Sequence, residues 1–137
     1  MKTELLVGAY YKDLRGTLMY NNDFDASEVK RMYLIENKDI TIVRAWQGHK
    51  IEQRWFTAVK GSFKIQLIKV DNWELPSKSL NIESYMLDSN ALNVLHIPAG
   101  YISSIQASSS NSKLLVLADY LIGENIDEYR YETDYFN

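Results

Sequence analysis

The chain has 137 residues, 46% hydrophobic and 24% charged, which describes one ordinary globular domain able to bury roughly two-thirds of its unfolded surface. A formal net charge of −3 gives no electrostatic case for nucleic acid, although a local arginine cluster can still hold a small anion. The absence of cysteine excludes disulfides and thiolate chemistry and suits a reducing cytoplasm, while "MKTELLVGAY" reads as no signal peptide and no run has the length of a membrane helix.

In chain order, short runs rich in Tyr, Val, Ile and Phe alternate with turn residues. Strands are predicted over 5–11, 16–22, 29–37, 40–46 and 53–61, then over 62–70, 79–87, 93–100, 102–109 and 113–120. Period two is plainest in "SFKIQLIKV" (62–70), where Phe63, Ile65 and Leu67 face one way and Lys64 and Gln66 the other. One short helical turn is expected around 25–31, capped by Asp25 or Ser27. "DNWELPSKS" (71–79) is the longest loop, and "SSSNS" (108–112) reads as a polar turn. The tail "IDEYRYETDYFN" (126–137) reads either as a last turn of helix or as a segment covering a partner. Strands this closely spaced leave hardly any room for a helix, which predicts an all-β sandwich or barrel in a single domain over 1–137.

The chemistry concentrates in "VRAWQGHKIEQRWFTAVKG" (43–61), read as a hairpin. Gln47-x-His49-x4-Arg54-x6-Gly61 has the spacing of the first cupin motif, and Pro98-x-Gly100-x2-Ser103 that of the second. Period-two spacing aims residues 47 and 49 into one barrel lumen. Metal cupins fill the four ligand positions with three histidines and a carboxylate; here they hold Gln47, His49, Arg54 and Ser103. A guanidinium stays protonated and cannot coordinate, so the substitutions disfavour a metal. A register slip of one residue would instead put Arg54 on the surface.

Beyond the cupin spacing, "DLRGTLMYNNDFDASEVKRMYLIEN" (13–37), "VRAWQGHK" (43–50) and "LADYLIGENIDEYRYETDYF" (117–136) resemble the WxcM-like group, which includes dTDP-4-keto-6-deoxyhexose 3,4-ketoisomerases. Residues 44–47 and 97–105 are similar, more distantly, to motifs of dTDP-4-dehydrorhamnose 3,5-epimerases. The resemblance implies a cupin jelly-roll barrel acting on a nucleotide-linked 4-keto-6-deoxy sugar by proton transfer beside the ketone, without metal or redox cofactor. It implies a cytoplasmic homodimer serving surface-polysaccharide synthesis, with edge strands exchanged between subunits.

By the same resemblance His49 is the base and Gln47 an orienting or enolate-bonding group. Arg44 and Arg15 are diphosphate contacts, with Arg15 approaching the ligand across a dimer. Arg54, Tyr101 and Ser103 complete the substrate-binding set. Trp46 has two readings, a ligand platform or a core or interface aromatic; Trp55 is read the same way. His96 reads as a structural or rim residue. The epimerases' acid tyrosine falls near Leu115, which cannot serve. The alternative is a barrel that binds a nucleotide sugar without turning it over.

Overall fold

Polar and apolar residues alternate along most of the chain, and the backbone follows that alternation. In a computed structural model, which describes residues 1–136, the regular structure is all strand. Asn137, the last residue of the predicted tail and domain, lies outside the described residues. The strands are β1 (Glu4–Leu6), β2 (Ala9–Asp13), β3 (Gly16–Tyr20), β4 (Arg31–Ile35), β5 (Val43–His49) and β6 (Arg54–Lys60). They continue as β7 (Ser62–Lys69), β8 (Glu83–Asp88), β9 (Val94–Ile97), β10 (Tyr101–Ala107), β11 (Lys113–Ala118) and β12 (Glu128–Arg130). Two five-stranded antiparallel sheets, β1-β9-β6-β11-β4 and β12-β5-β10-β7-β8, face each other as a jelly-roll barrel. A separate hairpin, β2–β3, stands off them.

The core fills the space between the sheets. Phe63, Ile65 and Leu67 of β7 are fully buried there against Phe56, Leu95, Leu114 and Val116, as their period-two spacing predicts. Burying each such side chain contributes about 1.5–3 kcal/mol. Ile68 faces the other way and is also fully buried, so the second sheet is covered on both faces. Its outer cover is a cluster of Trp46, Ile68, Ile102 and Phe136, with Trp73, Tyr131 and Tyr135 packed against it.

Several expectations are corrected. Residues 25–31 form no helix: Asp25 accepts from the Ser27 amide at 2.9 Å, and Val29 closes a single turn onto Ala26. The predicted 5–11 strand breaks at Gly8, where an added Cβ would meet the Leu92 and Tyr20 carbonyl oxygens at 2.6 and 2.7 Å. The stretch 43–61 is no hairpin, because β5 and β6 belong to opposite sheets and the chain crosses the barrel mouth between them. Gly61, with φ of 71°, makes the next crossing alone. Over its described residues the tail is not helical. It forms β12 on the edge of β5 and then folds over its own sheet, with Tyr131 and Tyr135 hydroxyls donating to the Trp73 and Pro76 carbonyls at 2.7 and 2.6 Å.

Gly48 is where β5 presses closest to β10. A Cβ there would overlap the Tyr101 carbonyl oxygen and lie 2.6 Å from Ile102 Cα, both backbone atoms. Gly48→Ala is therefore expected to cost about 3 kcal/mol of stability. Urea unfolding should show a lowered midpoint at unchanged slope.

Candidate active site

The mouth of the barrel is set by an irregularity in β5. Strict alternation would put Arg44 on the opposite side from Gln47 and His49. Instead Ser103 pairs with Gln47 and Ile105 with Arg44, so two steps along β10 match three along β5. The bulge carries Ala45 and Trp46 into the outer cluster and returns Arg44 to the cavity side. The Ala45–Trp46 peptide within it is cis.

A cavity of about 440 Å³ opens there, lined by Arg44, Gln47, His49, Arg54, Tyr101 and Ser103 among others. Six of the eight residues singled out from the sequence thus share one chamber. Trp46 does not: it is buried on the outer face, edge-on to Phe136 at 5.5 Å, and is no ligand platform in this fold. Trp55 is likewise buried, stacked on His96 at 5.2 Å, and His96 bonds Gln53 Oε1 at 2.7 Å, the structural role read for it. Arg15 lies at the tip of the β2–β3 hairpin, paired with Asp13 at 2.7 Å and outside its own chain's cavity. Arg54 faces inward, as the cupin count requires. Leu115 alternates with the buried Leu114 and Val116 and so faces away from the lumen.

His49 is held from both sides. Its Nδ1 lies 3.2 Å from Asp127 Oδ1, and its Nε2 lies 2.8 Å from Arg54 Nη2. A guanidinium only donates, so Nε2 accepts and the ring proton sits on Nδ1, donated to Asp127. The other Asp127 oxygen accepts from the Ile51 and Glu52 amides at 2.8 and 2.9 Å. Burial pushes the Asp127 carboxyl up, but those amides and the His49 ring outweigh it and hold it below the ordinary carboxylate value. Arg54 Nη1 donates to Glu52 Oε1 at 3.0 Å and to the Gln53 carbonyl at 3.3 Å.

The remaining side chains are also committed. Gln47 donates its amide to Glu128, which in turn takes Arg130 at 3.0 Å. The second N–H of that amide is left for a ligand oxygen. Arg44 donates through Nε to the buried Asn37 at 2.7 Å, leaving its two terminal nitrogens for the cavity. Ser103 Oγ donates to the Gln47 carbonyl at 3.3 Å. Burial raises the Tyr101 hydroxyl pKa, helped by Glu83 and Tyr85. A second cavity, about 520 Å³, meets the first at Gln47, His49, Glu52 and Arg54 and is roofed by residues 121–126.

His49, Glu52 and Asp127 bring ligand-type atoms within 4.8 Å of one another. The donor set does not suit a cation. His49 Nδ1 carries the proton, Asp127 is saturated by amides, and the Arg54 charge already balances Glu52.

Asp127, Glu52 and Asn37 were not found from the sequence. Asp127 stands 78 residues from His49, in a tail whose sequence reads as a last helical turn or a segment covering a partner. No spacing links them, and only the fold brings them together.

A jelly-roll barrel with a histidine at its mouth and arginines around it defines the class of small cupins. Within that class, the family description "FdtA: WxcM-like, C-terminal" matches residues 1–137, and the chain belongs to this family. Among solved structures, the chain is similar to a histidine-to-asparagine variant of the 3,4-ketoisomerase QdtA from Thermoanaerobacterium thermosaccharolyticum in complex with TDP-4-keto-6-deoxyglucose. Identity is 22%, coverage 98% of this chain and 91% of that one, and the TM-score 0.72. It is similar to the WlaRB TDP-quinovose 3,4-ketoisomerase from Campylobacter jejuni at 23% identity, covering 98% and 96%, with a TM-score of 0.72. The 4-keto-6-deoxy sugar epimerase NovW from Streptomyces spheroides aligns at 15% identity over 96% and 69%, with a TM-score of 0.77. At these identities the likeness establishes the fold. Among curated protein sequences none matches the chain at a significant level.

Asp127→Asn tests the His49 clamp. Because the Asp127 pKa is depressed, its contribution to stability is full above about pH 4, the unfolded value, and is lost as pH falls through the lower folded value. Chemical denaturation across pH 2–6 should show that acid-side loss in the wild type and a smaller one in Asp127→Asn.

Proposed function

We propose that the chain is a metal-independent isomerase of a nucleotide-linked 4-keto-6-deoxy sugar, a 3,4-ketoisomerase acting by proton transfer beside the ketone. The observation that carries this is His49 on the cavity wall: its proton is fixed on Nδ1 by Asp127, which makes Nε2, here accepting from Arg54, the ring's basic nitrogen. That is the tautomer a general base needs. Membership of the WxcM-like family and the shared fold of the TDP-sugar ketoisomerases support the substrate class.

The chemistry balances without a redox partner. Nε2 removes the proton from C3, the electron pair moves to form an enediolate across C3 and C4, and a proton returns at C4. The hydroxyl proton passes from O3 to O4, so the ketone has moved by one carbon and no electron has left the sugar. Arg44, held at Nε by Asn37, presents its two free nitrogens to the diphosphate. Ser103 and Tyr101 line the sugar pocket, and Gln47 shapes its wall through Glu128. The product is an activated sugar for surface-polysaccharide synthesis in the cytoplasm.

The working form in this reading is a homodimer. Among the described residues the β2–β3 hairpin pairs with no other strand, and it exposes Tyr10, Tyr11, Leu14 and Leu18. The edge strand β4 exposes Met32 and Leu34. A lone hairpin is marginal in water and an apolar edge invites pairing, which supports a second copy as cover. Such an exchange gives Arg15 a route to the neighbouring cavity.

In D₂O with dTDP-4-keto-6-deoxyglucose, the C3 proton signal should disappear, and His49→Ala should slow its loss by about 10²–10⁴-fold. Binding without exchange would reduce the protein to a nucleotide-sugar binding module and overturn the isomerase reading. Light scattering should give twice the chain mass, with Leu18→Glu shifting it toward the monomer at unchanged circular dichroism.

A further inference from the structure

The imidazole that should take the proton already has its lone pair occupied. With Nδ1 committed to Asp127, Nε2 is the one acceptor the ring offers, and Arg54 Nη2 fills it at 2.8 Å. A nitrogen engaged this way takes no proton from carbon until the donor moves aside.

Arg54 is built to stay close when it does. Its side chain is 8% exposed, and Nη1 is anchored by Glu52 Oε1 and the Gln53 carbonyl. Glu52, itself 10% exposed, balances the charge, so the guanidinium has no reason to swing into solvent. What can draw Nη2 from a neutral imidazole is a stronger acceptor beside it. The ketone oxygen of a bound sugar is one bond removed from the carbon next to the reacting C3. A sugar placed for proton transfer to Nε2 therefore brings that oxygen within reach of the same Nη2. As the oxygen becomes anionic, the charge-assisted bond to Arg54 strengthens further.

We propose that Arg54 is an exchangeable cap: it holds His49 Nε2 in the empty site and passes that hydrogen bond to the carbonyl oxygen when a keto sugar binds, freeing the base and stabilising the enediolate together. The inference rests on the ketoisomerase reading above and adds a condition to it. Unmasking the base requires a ketone. A nucleotide alone, or a nucleotide sugar with a hydroxyl at that carbon, leaves Nε2 capped and the protein unreactive. Only a hydrogen bond changes partner in the exchange; the proton transfers are those of the isomerisation itself.

Nitrogen-15 NMR of histidine-labelled protein tests this in the native chain. Without ligand, His49 is expected as the Nδ1–H tautomer with Nε2 hydrogen-bonded; an Nε2–H tautomer overturns the cap. Saturating dTDP is expected to leave the Nε2 resonance in place, and dTDP-4-keto-6-deoxyglucose to move it downfield as the donor leaves. An equal shift with dTDP, or none with bound keto sugar, overturns the exchange. Calorimetry on the same samples separates the two ideas: if neither ligand binds, the ketoisomerase reading falls and the exchange falls with it; if both bind and Nε2 stays put, only the exchange falls. The double variant Arg54→Met, Glu52→Gln removes the cap without leaving a lone buried carboxylate. It is expected to lose C3 exchange by about 10²–10³-fold, while diethyl pyrocarbonate modifies His49 faster than in the wild type. Equal or slower modification would overturn the cap.

Discussion

The Asp127 carboxylate is the point on which the site depends. One oxygen takes the His49 ring, the other takes the Ile51 and Glu52 amides, and so a single buried group fixes both the imidazole and the crossover that follows it. Without it those two amides and the imidazole proton would be buried donors lacking an acceptor, each costing about 1–3 kcal/mol. The carboxylate arrives from a segment that closes the barrel late in the chain, between the roof over the second cavity and β12. Sheet edge, crossover and the setting of His49 are therefore one construction.

Electrostatics divides the arginines by what already holds them. Arg15 and Arg130 are paired with exposed carboxylates, and such surface pairs contribute little. Arg54 is locked into a buried network with Glu52 and His49. Arg44 has a neutral amide as partner and makes no ion pair among the described residues. Arg31 lies over the Tyr33 ring at 4.7 Å, on the wall of the second chamber. The same walls carry Glu36, Glu52, Asp127 and Glu128, so the opening is not net positive, and Arg44 is the cation through which it would meet an anion.

Much of this was legible in the sequence, and the failures have physical causes. Period two in 62–70 gave the inner face of β7 correctly because one side of that strand is purely core. The cupin spacing brought Gln47, His49, Arg54 and Ser103 to one cavity, since those intervals are set by strand length and turn. Trp46 kept two readings because an aromatic beside a site looks the same in sequence whether it faces in or out; it packs in the outer cluster. The turn at 25–31 was misread because an aspartate accepting from an amide two residues on mimics a helix cap. Asp127 was invisible because a contact across 78 residues leaves no local pattern.

The bulge in β5 has a consequence for how the family can vary. Side chains on a strand keep a two-beat phase, and β5 contains one beat too many between Arg44 and Gln47. Removing Ala45 or Trp46 would leave Arg44 and Gln47 two residues apart, a spacing at which plain alternation keeps both on the chamber side. It is the odd interval that demands the bulge: paired regularly, the same three steps would turn Arg44 or the Gln47–His49 pair outward. Between distant relatives, an interval of three should therefore come with a bulge, whereas an interval of two can do without one.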